Sequence, residues 1–146
     1  MPRSPLPPEP PEFFVDRSLG YYLIPEALRG LGFTAHTMRS VFGAGAEESV
    51  PDPAWLAAAG TEGWVVLTKD GRMRHRPAEL EAVETHRLRV FCLTNANLTG
   101  PEQVERILSN IHRIVARARR PGPWIDAVHC DRVTRLWPRR PPPGPG

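Results

Sequence analysis

Short apolar runs alternate with longer amphipathic stretches through the middle of the chain. The runs are rich in β-branched and aromatic residues, which favour strands. The predicted strands are FFVD (13–16), FTAHTM (33–38), WVVLT (64–68), LRVFCLT (88–94) and WIDAVHC (124–130). A further apolar stretch, VTRLW, follows the last run and predicts a strand paired beside it.

Most of the segments between these runs have the apolar spacing of helices. Ser18 and Asp52 are suited to the N-caps of the first two helices, and Pro53 to the first turn of the second. Pro25 indicates a kink or a later start in the first helix. A glycine-rich loop is predicted over 39–51. The predicted helices are 18–32, 52–60, 76–86 and 99–120.

Strands that alternate with helices over short connections are typical of a parallel sheet covered by helices on both faces. The pattern therefore predicts the α/β class, with a mainly parallel central sheet in one domain over residues 12–137. Prolines are concentrated outside that domain, with six in residues 1–11 and five in residues 138–146. Both ends are predicted to be disordered tails.

The chain shows no sequence signal for a membrane or for secretion. No apolar run approaches the roughly 20 residues that span a bilayer. The N-terminal stretch MPRSPLPPEPPEF lacks the apolar centre of a secretory signal. The cytoplasm is therefore the predicted location.

Positive charge is carried almost entirely by arginine. Of 19 basic residues, 18 are arginine, and the net charge is +3. Arginine is suited to bidentate hydrogen bonds with phosphate, which favours a nucleic-acid ligand. An arginine-rich set can equally follow from genome composition, so charge alone leaves both interpretations open.

Three of the five aspartates stand where ligands bind in such folds. Asp16 follows the first strand, Asp70 follows the third, and Asp52 opens the helix that leads into the third. Ligands of open parallel sheets bind beyond the carboxyl ends of the strands. Taken singly, Asp52 is equally explained as a helix cap and Asp70 as part of an Asp-Gly turn.

Three carboxylates at one edge would repel one another, and a divalent cation would remove that conflict. Mg²⁺ and Mn²⁺ prefer carboxylate and water oxygens. Lys69, Arg72 and Arg74 surround Asp70 in the sequence, as a polyanionic substrate would require. Asn95 follows the fourth strand at the same edge and is a further candidate for a substrate contact, although a turn built on asparagine explains it as well.

The chain resembles the PIN domain superfamily, and in particular the compact PIN-like proteins related to VapC-type toxins. The stretches that carry the resemblance are FFVDRSLG, VPDPAWLAAAGTEGW and WVVLTKDGRMRHRP. The resemblance implies a three-layer α/β/α sandwich in which acidic residues hold Mg²⁺ or Mn²⁺. Carried over by position, Asp16, Asp52 and Asp70 would be the metal-binding and catalytic acids.

The resemblance also implies an activity and partners. The usual activity of the PIN domain superfamily is endoribonucleolytic cleavage. Its VapC-type members are toxins that a cognate antitoxin silences, and homodimers are common among PIN domains. Many members carry another acid before the helix that Asp52 opens, and Glu47 or Glu48 would fill that role here, with Glu48 as the candidate metal ligand. The alternative is a catalytically degenerate PIN-like protein that binds RNA or serves as an interaction module.

Overall fold

A six-stranded sheet forms the centre of the protein in a computed structural model that describes residues 10–45, 50–95 and 97–139. The strands are β1 (Phe13–Val15), β2 (Ala35–Thr37), β3 (Val65–Thr68), β4 (Arg89–Leu93), β5 (Trp124–Val128) and β6 (Val133–Trp137). Their spatial order is β2-β1-β3-β4-β5-β6. The first five strands are parallel, and β6 pairs antiparallel to β5 at one edge.

Helices lie on both faces of this sheet. They are α1 (Leu23–Gly30), α2 (Met38–Phe42), α3 (Asp52–Glu62), α4 (Pro77–Thr85), α5 (Gly100–Ser109) and α6 (Ile111–Ala118). Two short 3₁₀ helices, Arg17–Leu19 and Gly71–His75, follow β1 and β3. None of the helices in the described part of the chain has the length and apolar character that a membrane span needs.

Alternating side chains of each strand fill two separate cores. Phe13 and Val15 of β1 pack with residues of α1, α5 and α6, whereas Phe14 between them packs with residues of α2, α3 and α4. All three side chains are fully buried. The prediction of a three-layer α/β/α sandwich with a mainly parallel sheet is confirmed, and so is the pairing of VTRLW beside the last parallel strand.

Several helix boundaries differ from the prediction for local reasons. The helix predicted over 18–32 begins only at Leu23, which places Pro25 in its first turn, where its missing N–H costs no hydrogen bond. The first part of the predicted glycine-rich loop forms α2, whose start is stabilised by reciprocal Thr37–Ser40 capping hydrogen bonds.

The helix predicted over 99–120 is in fact two helices, α5 and α6, with Asn110 between them. The buried Asn110 amide donates to the carbonyl of Arg106 and to that of His129, each at 2.9 Å. The Asn110 backbone N–H then bonds Ile107, three residues back, instead of Arg106, four residues back. This side-chain competition interrupts the helix.

The strand order places a topological switch between β1 and β3. The chain leaves β1 toward β2 on one side and returns through β3 on the other, with Val15 in register with Leu67. A crevice at such a switch is the usual ligand site of an open α/β sheet. The predicted tails, 1–11 and 138–146, lie largely outside the described residues, and the domain limits stay a prediction.

Candidate active site

Asp16 is held at the switch point by two hydroxyl groups. Its Oδ2 accepts hydrogen bonds from the Oγ of Ser18 at 2.6 Å and from the Oγ1 of Thr68 at 2.9 Å. The Asp16 residue is only 7% exposed. Its other carboxylate oxygen, Oδ1, has no hydrogen-bond partner within the described residues, so a nearly buried acceptor is left for a ligand. Ser18, predicted as a helix cap, therefore orients Asp16 instead.

Asp52 lies at the start of α3 and is held by a buried indole. Its Oδ1 accepts from the Nε1 of Trp55 at 2.9 Å, and Trp55 stacks on Phe14 of β1 with ring centroids 5.1 Å apart. The predicted capping role is wrong, because Pro51 holds the cap position and no side-chain capping bond is formed. The carboxylate is therefore not committed to the helix backbone.

Asp70 follows β3 and caps the 3₁₀ helix Gly71–His75. Its Oδ1 accepts from the backbone N–H of Arg72 at 3.1 Å, and its Oδ2 accepts from Nη1 of Arg76 at 2.8 Å. Burial raises the pKa of Asp70, but the Arg72 hydrogen bonds and the Arg76 charge outweigh it and leave that pKa below its usual value. Asp70 is therefore both a turn residue and an ionised carboxylate.

A fourth acid, Glu79, reaches the same place from the first turn of α4. It is 8% exposed, and its carboxyl lines the same cavity as that of Asp52. Burial, and after it the neighbouring Asp52 carboxyl, raises the pKa of Glu79, because both disfavour a further negative charge there. Sequence reasoning missed Glu79, although an acid in the first turn of the helix after the Asp70 loop was a usable signal.

The additional acid, Glu79, comes later in the chain than the sequence predicted. The expected position was before the Asp52 helix, at Glu47 or Glu48, and both of these residues lie outside the described part of the chain. Glu79 comes after Asp70 instead. It can reach the others because α3 and α4 both begin at the carboxyl edge of the sheet.

These four carboxylates lie in one cavity of about 320 Å³, here called the acid pocket. Arg76 bridges two of them, with Nη1 2.8 Å from Asp70 Oδ2 and 3.2 Å from Glu79 Oε1. The lining residues are Asp16, Arg17, Ser18, Asp52, Trp55, Thr68, Asp70, Met73, Arg76 and Glu79.

The donor chemistry of the acid pocket suits a hard divalent cation, which takes carboxylate oxygens. As the side chains stand, no three acidic, histidine or cysteine residues of the described chain are grouped closely enough to hold one ion. Arg76 supplies the balancing charge between Asp70 and Glu79, and its side chain is 40% exposed. A cation entering between Asp70 and Glu79 would therefore have to displace the Arg76 side chain.

The predicted cations line a second cavity that adjoins the acid pocket at Ser18 and Asp70. This basic cavity has a volume of about 490 Å³ and also contains Gly71 and His75. Asn95 lines neither cavity; it adopts φ +67° and its Oδ1 accepts the backbone N–H of Asn97, as in an asparagine turn. Its substrate role stays a prediction. The predicted cations in the basic cavity are Lys69, Arg72 and Arg74.

Two findings relate this chain to known proteins. A family described as "PIN like domain" matches residues 11–95, which contain all four acids. A protein of Mycobacterium tuberculosis named "Putative ribonuclease VapC45" is 35% identical over 123 residues, covering 84% of this chain and 89% of that protein. No solved structure matches the chain significantly. The chain belongs to the PIN-like domain family.

Proposed function

We propose that the protein is a metal-dependent endoribonuclease and acts as the toxin of a VapBC-type toxin–antitoxin module. The observation that carries this proposal is the convergence of Asp16, Asp52, Asp70 and Glu79 in one pocket beside a cationic cavity. The name of the mycobacterial relative supports the choice of RNA as substrate.

The acids would hold one or more Mg²⁺ or Mn²⁺ ions. Such an ion activates a water molecule and offsets the charge that develops on a phosphodiester. Asp16 is fixed by Ser18 and Thr68 and therefore supplies a rigid ligand. Protonated Glu79 must lose its proton before it can bind a cation, and burial raises its pKa.

The basic cavity would bind the RNA backbone next to these acids. Carboxylates alone would repel a polyanion, so Lys69, Arg72 and Arg74 are needed to hold phosphates beside them. Hydrolysis joins a water oxygen to phosphorus and breaks one phosphorus–oxygen ester bond. A carboxylate of the acid pocket would accept the proton that this water gives up, and the ester oxygen that leaves would take up a proton from solvent.

Cleavage of end-labelled structured RNA tests the proposal. The protein is stripped of metal with EDTA, and Mg²⁺ or Mn²⁺ is then restored. Wild type should cut only with added metal, and Asp16→Asn should not cut at all while remaining folded by circular dichroism. Asp131→Asn is the matched control, since Asp131 is exposed and lines neither cavity, and it should cut like wild type. Equal cleavage by wild type and Asp16→Asn would refute the proposal.

Partners and location are part of the same proposal. A cognate antitoxin would bind the toxin and block its acids, and the toxin itself would form a homodimer in the cytoplasm, where its RNA targets are. Tyr22, Leu23 and Leu31 are at least half exposed and provide apolar surface at α1 for a protein contact. Light scattering of the purified chain, alone and mixed with an antitoxin, measures both assemblies.

A protein that binds RNA without cutting it is the second candidate, and Arg76 is the observation that favours it. An arginine that already neutralises Asp70 and Glu79 would weaken any competing metal ion. In that case wild type would bind RNA with strong salt dependence and leave it intact with every metal tested.

A further inference from the structure

A third cavity extends the basic cavity away from the acids. It has a volume of about 370 Å³ and shares Arg74 and His75 with the basic cavity, so the two are continuous. We call it the tryptophan cavity. Its remaining lining residues are Leu80, Arg135, Leu136, Trp137 and Arg139.

Trp137 gives this cavity an aromatic surface that a ligand can reach. It stands at the end of β6 and is partly exposed, whereas the other three tryptophans of the chain, Trp55, Trp64 and Trp124, are at most 9% exposed. Leu136 and Leu80 pack against the core and form an apolar floor beside the indole. A flat ring next to an apolar floor suits a nucleobase, which binds by stacking.

The charged side chains of the tryptophan cavity are all cationic. Arg135 is already paired, because its Nε lies 2.7 Å from Oδ1 of the buried Asp126. Arg74 donates to the ring of His75 at 3.0 Å, and this bond holds it at the junction of the two cavities. Arg139 is exposed at the rim. No carboxylate of the described residues lines the cavity, so the guanidinium groups of Arg74 and Arg139 can bind phosphates.

We propose that the tryptophan cavity binds the single-stranded RNA segment that flanks the scissile phosphate. One base stacks on Trp137, and Arg139 and Arg74 contact the phosphates on either side of it. The proposal rests on the ribonuclease function proposed above for the acid pocket. It adds that the enzyme selects unpaired RNA through contacts remote from the acids, since a base inside a duplex cannot stack on a side chain.

Binding is measured with the Asp16→Asn protein, so that cleavage does not interfere. Fluorescein-labelled single-stranded oligoribonucleotides are lengthened one nucleotide at a time on each side, and affinity is read by anisotropy. We expect Trp137→Ala to lower affinity roughly tenfold for the longer oligonucleotides and to leave the shortest ones unaffected. Arg139→Gln should reduce the slope of log affinity against log salt by about 0.7, the loss of one phosphate contact.

Tryptophan fluorescence provides a readout that a purely structural role would not move. RNA should quench the emission of the Asp16→Asn protein, and Trp137→Phe, which keeps a ring in the fold, should remove most of that quenching. Arg120→Gln removes an exposed charge that lines none of the three cavities, and it should change neither affinity nor salt slope.

Two outcomes would overturn the proposal. One is unchanged affinity and quenching in the Trp137 variants, and the other is an Arg139→Gln salt slope equal to that of Arg120→Gln. Either outcome would refute the role of the tryptophan cavity even if wild type cuts RNA. Cleavage by wild type would still support the ribonuclease function. Conversely, binding that depends on Trp137 in a protein that never cuts RNA would retain the cavity and refute the ribonuclease function.

Discussion

The Arg76 guanidinium donates to Asp70 and to Glu79 across the acid pocket. A positive charge of the chain itself therefore occupies the region between two carboxylates that a metal ion would bind. The side chain is 40% exposed, so it can leave the pocket without opening the core. Metal binding is then a competition between Arg76 and the added cation for the same oxygens.

Replacing Arg76 with glutamine should strengthen metal binding. Loss of the competing charge should raise Mn²⁺ affinity only modestly, because solvent screens the charge of this partly exposed side chain. Calorimetric titration of Mn²⁺ into both proteins measures the change. Arg74→Gln is the control, because Arg74 bonds His75 and does not line the acid pocket. Weaker binding in Arg76→Gln would instead mean that Arg76 orients the acids.

Metal affinity should also depend on pH through the carboxyl of Glu79. Burial and the neighbouring Asp52 carboxyl raise the pKa of Glu79, so below that pKa Glu79 retains a proton that competes with the ion. Affinity should therefore rise with pH until the proton is lost. Calorimetry in two buffers of different ionisation enthalpy should detect proton release on binding. Glu79→Gln should abolish that release, and its persistence would contradict the assignment.

At the scale of elements, α3 and α4 deliver Asp52 and Glu79 to the pocket and pack closely together. Gly60 of α3 lies against His86 at the end of α4, where an added Cβ would stand 2.4 Å from the His86 Cβ and 3.0 Å from its carbonyl oxygen. Only a residue without a side chain fits this contact. The close approach fixes how the two helices, and therefore the two acids, sit relative to each other.

Gly60→Ala should destabilise the protein, although alanine is normally the better helix former. Overpacking against His86 should lower the free energy of unfolding by about 1–3 kcal/mol in urea denaturation. Gly30→Ala in α1 is the matched control, since its Cβ would meet no atom within 4 Å. The control should be neutral or gain up to about 1 kcal/mol. A stabilised Gly60→Ala would contradict the packing.

The elements that sequence predicted well are those whose pattern is local. The strands followed from short β-branched runs, and the edge where Asp16 and Asp70 lie followed from their order along the chain. The break at Asn110 was missed because it depends on the carbonyl of His129, which only the folded sheet brings to α5. Periodicity within one helix cannot reveal such a contact.

At the scale of the whole molecule, Arg89 of the central sheet forms hydrogen bonds with both helical layers. It is 6% exposed in β4, and it donates to the carbonyl of Gly63 at the end of α3 and to that of Ala118 at the end of α6. These helices pack on opposite faces. Burial lowers the pKa of Arg89, while its charge is favourable beside two helix C-termini.

Arg89→Met should lower the free energy of unfolding by roughly 2–4 kcal/mol, because two buried carbonyls lose a charged donor. Urea denaturation followed by circular dichroism measures the loss. Arg120→Met, at an exposed site, should change stability by less than about 0.5 kcal/mol. Equal stability of the two variants would show that Arg89 does not connect the layers.

The candidate site, like the fold, was partly predictable from the sequence because local patterns mark strand ends and helix starts. Strand ends located Asp16 and Asp70, and a helix start located Asp52. An acid in the first turn of α4 was a local signal for Glu79, but its approach to Asp52 depends on how α4 packs beside β3. The tryptophan cavity likewise depends on how β6 packs beside β5, which no local pattern encodes. We propose that the four carboxylates of the acid pocket form one metal site, whereas Trp137 belongs to the separate tryptophan cavity.

The most direct test of that claim is Mn²⁺ titration by calorimetry of wild type, Glu79→Gln and Glu81→Gln, with RNA cleavage measured on the same samples. Glu81 lies on the same helix but is exposed and outside the acid pocket. We predict that Glu79→Gln loses at least about tenfold in metal affinity and most of its cleavage, whereas Glu81→Gln matches wild type. Wild-type metal binding and cleavage by Glu79→Gln would contradict the account.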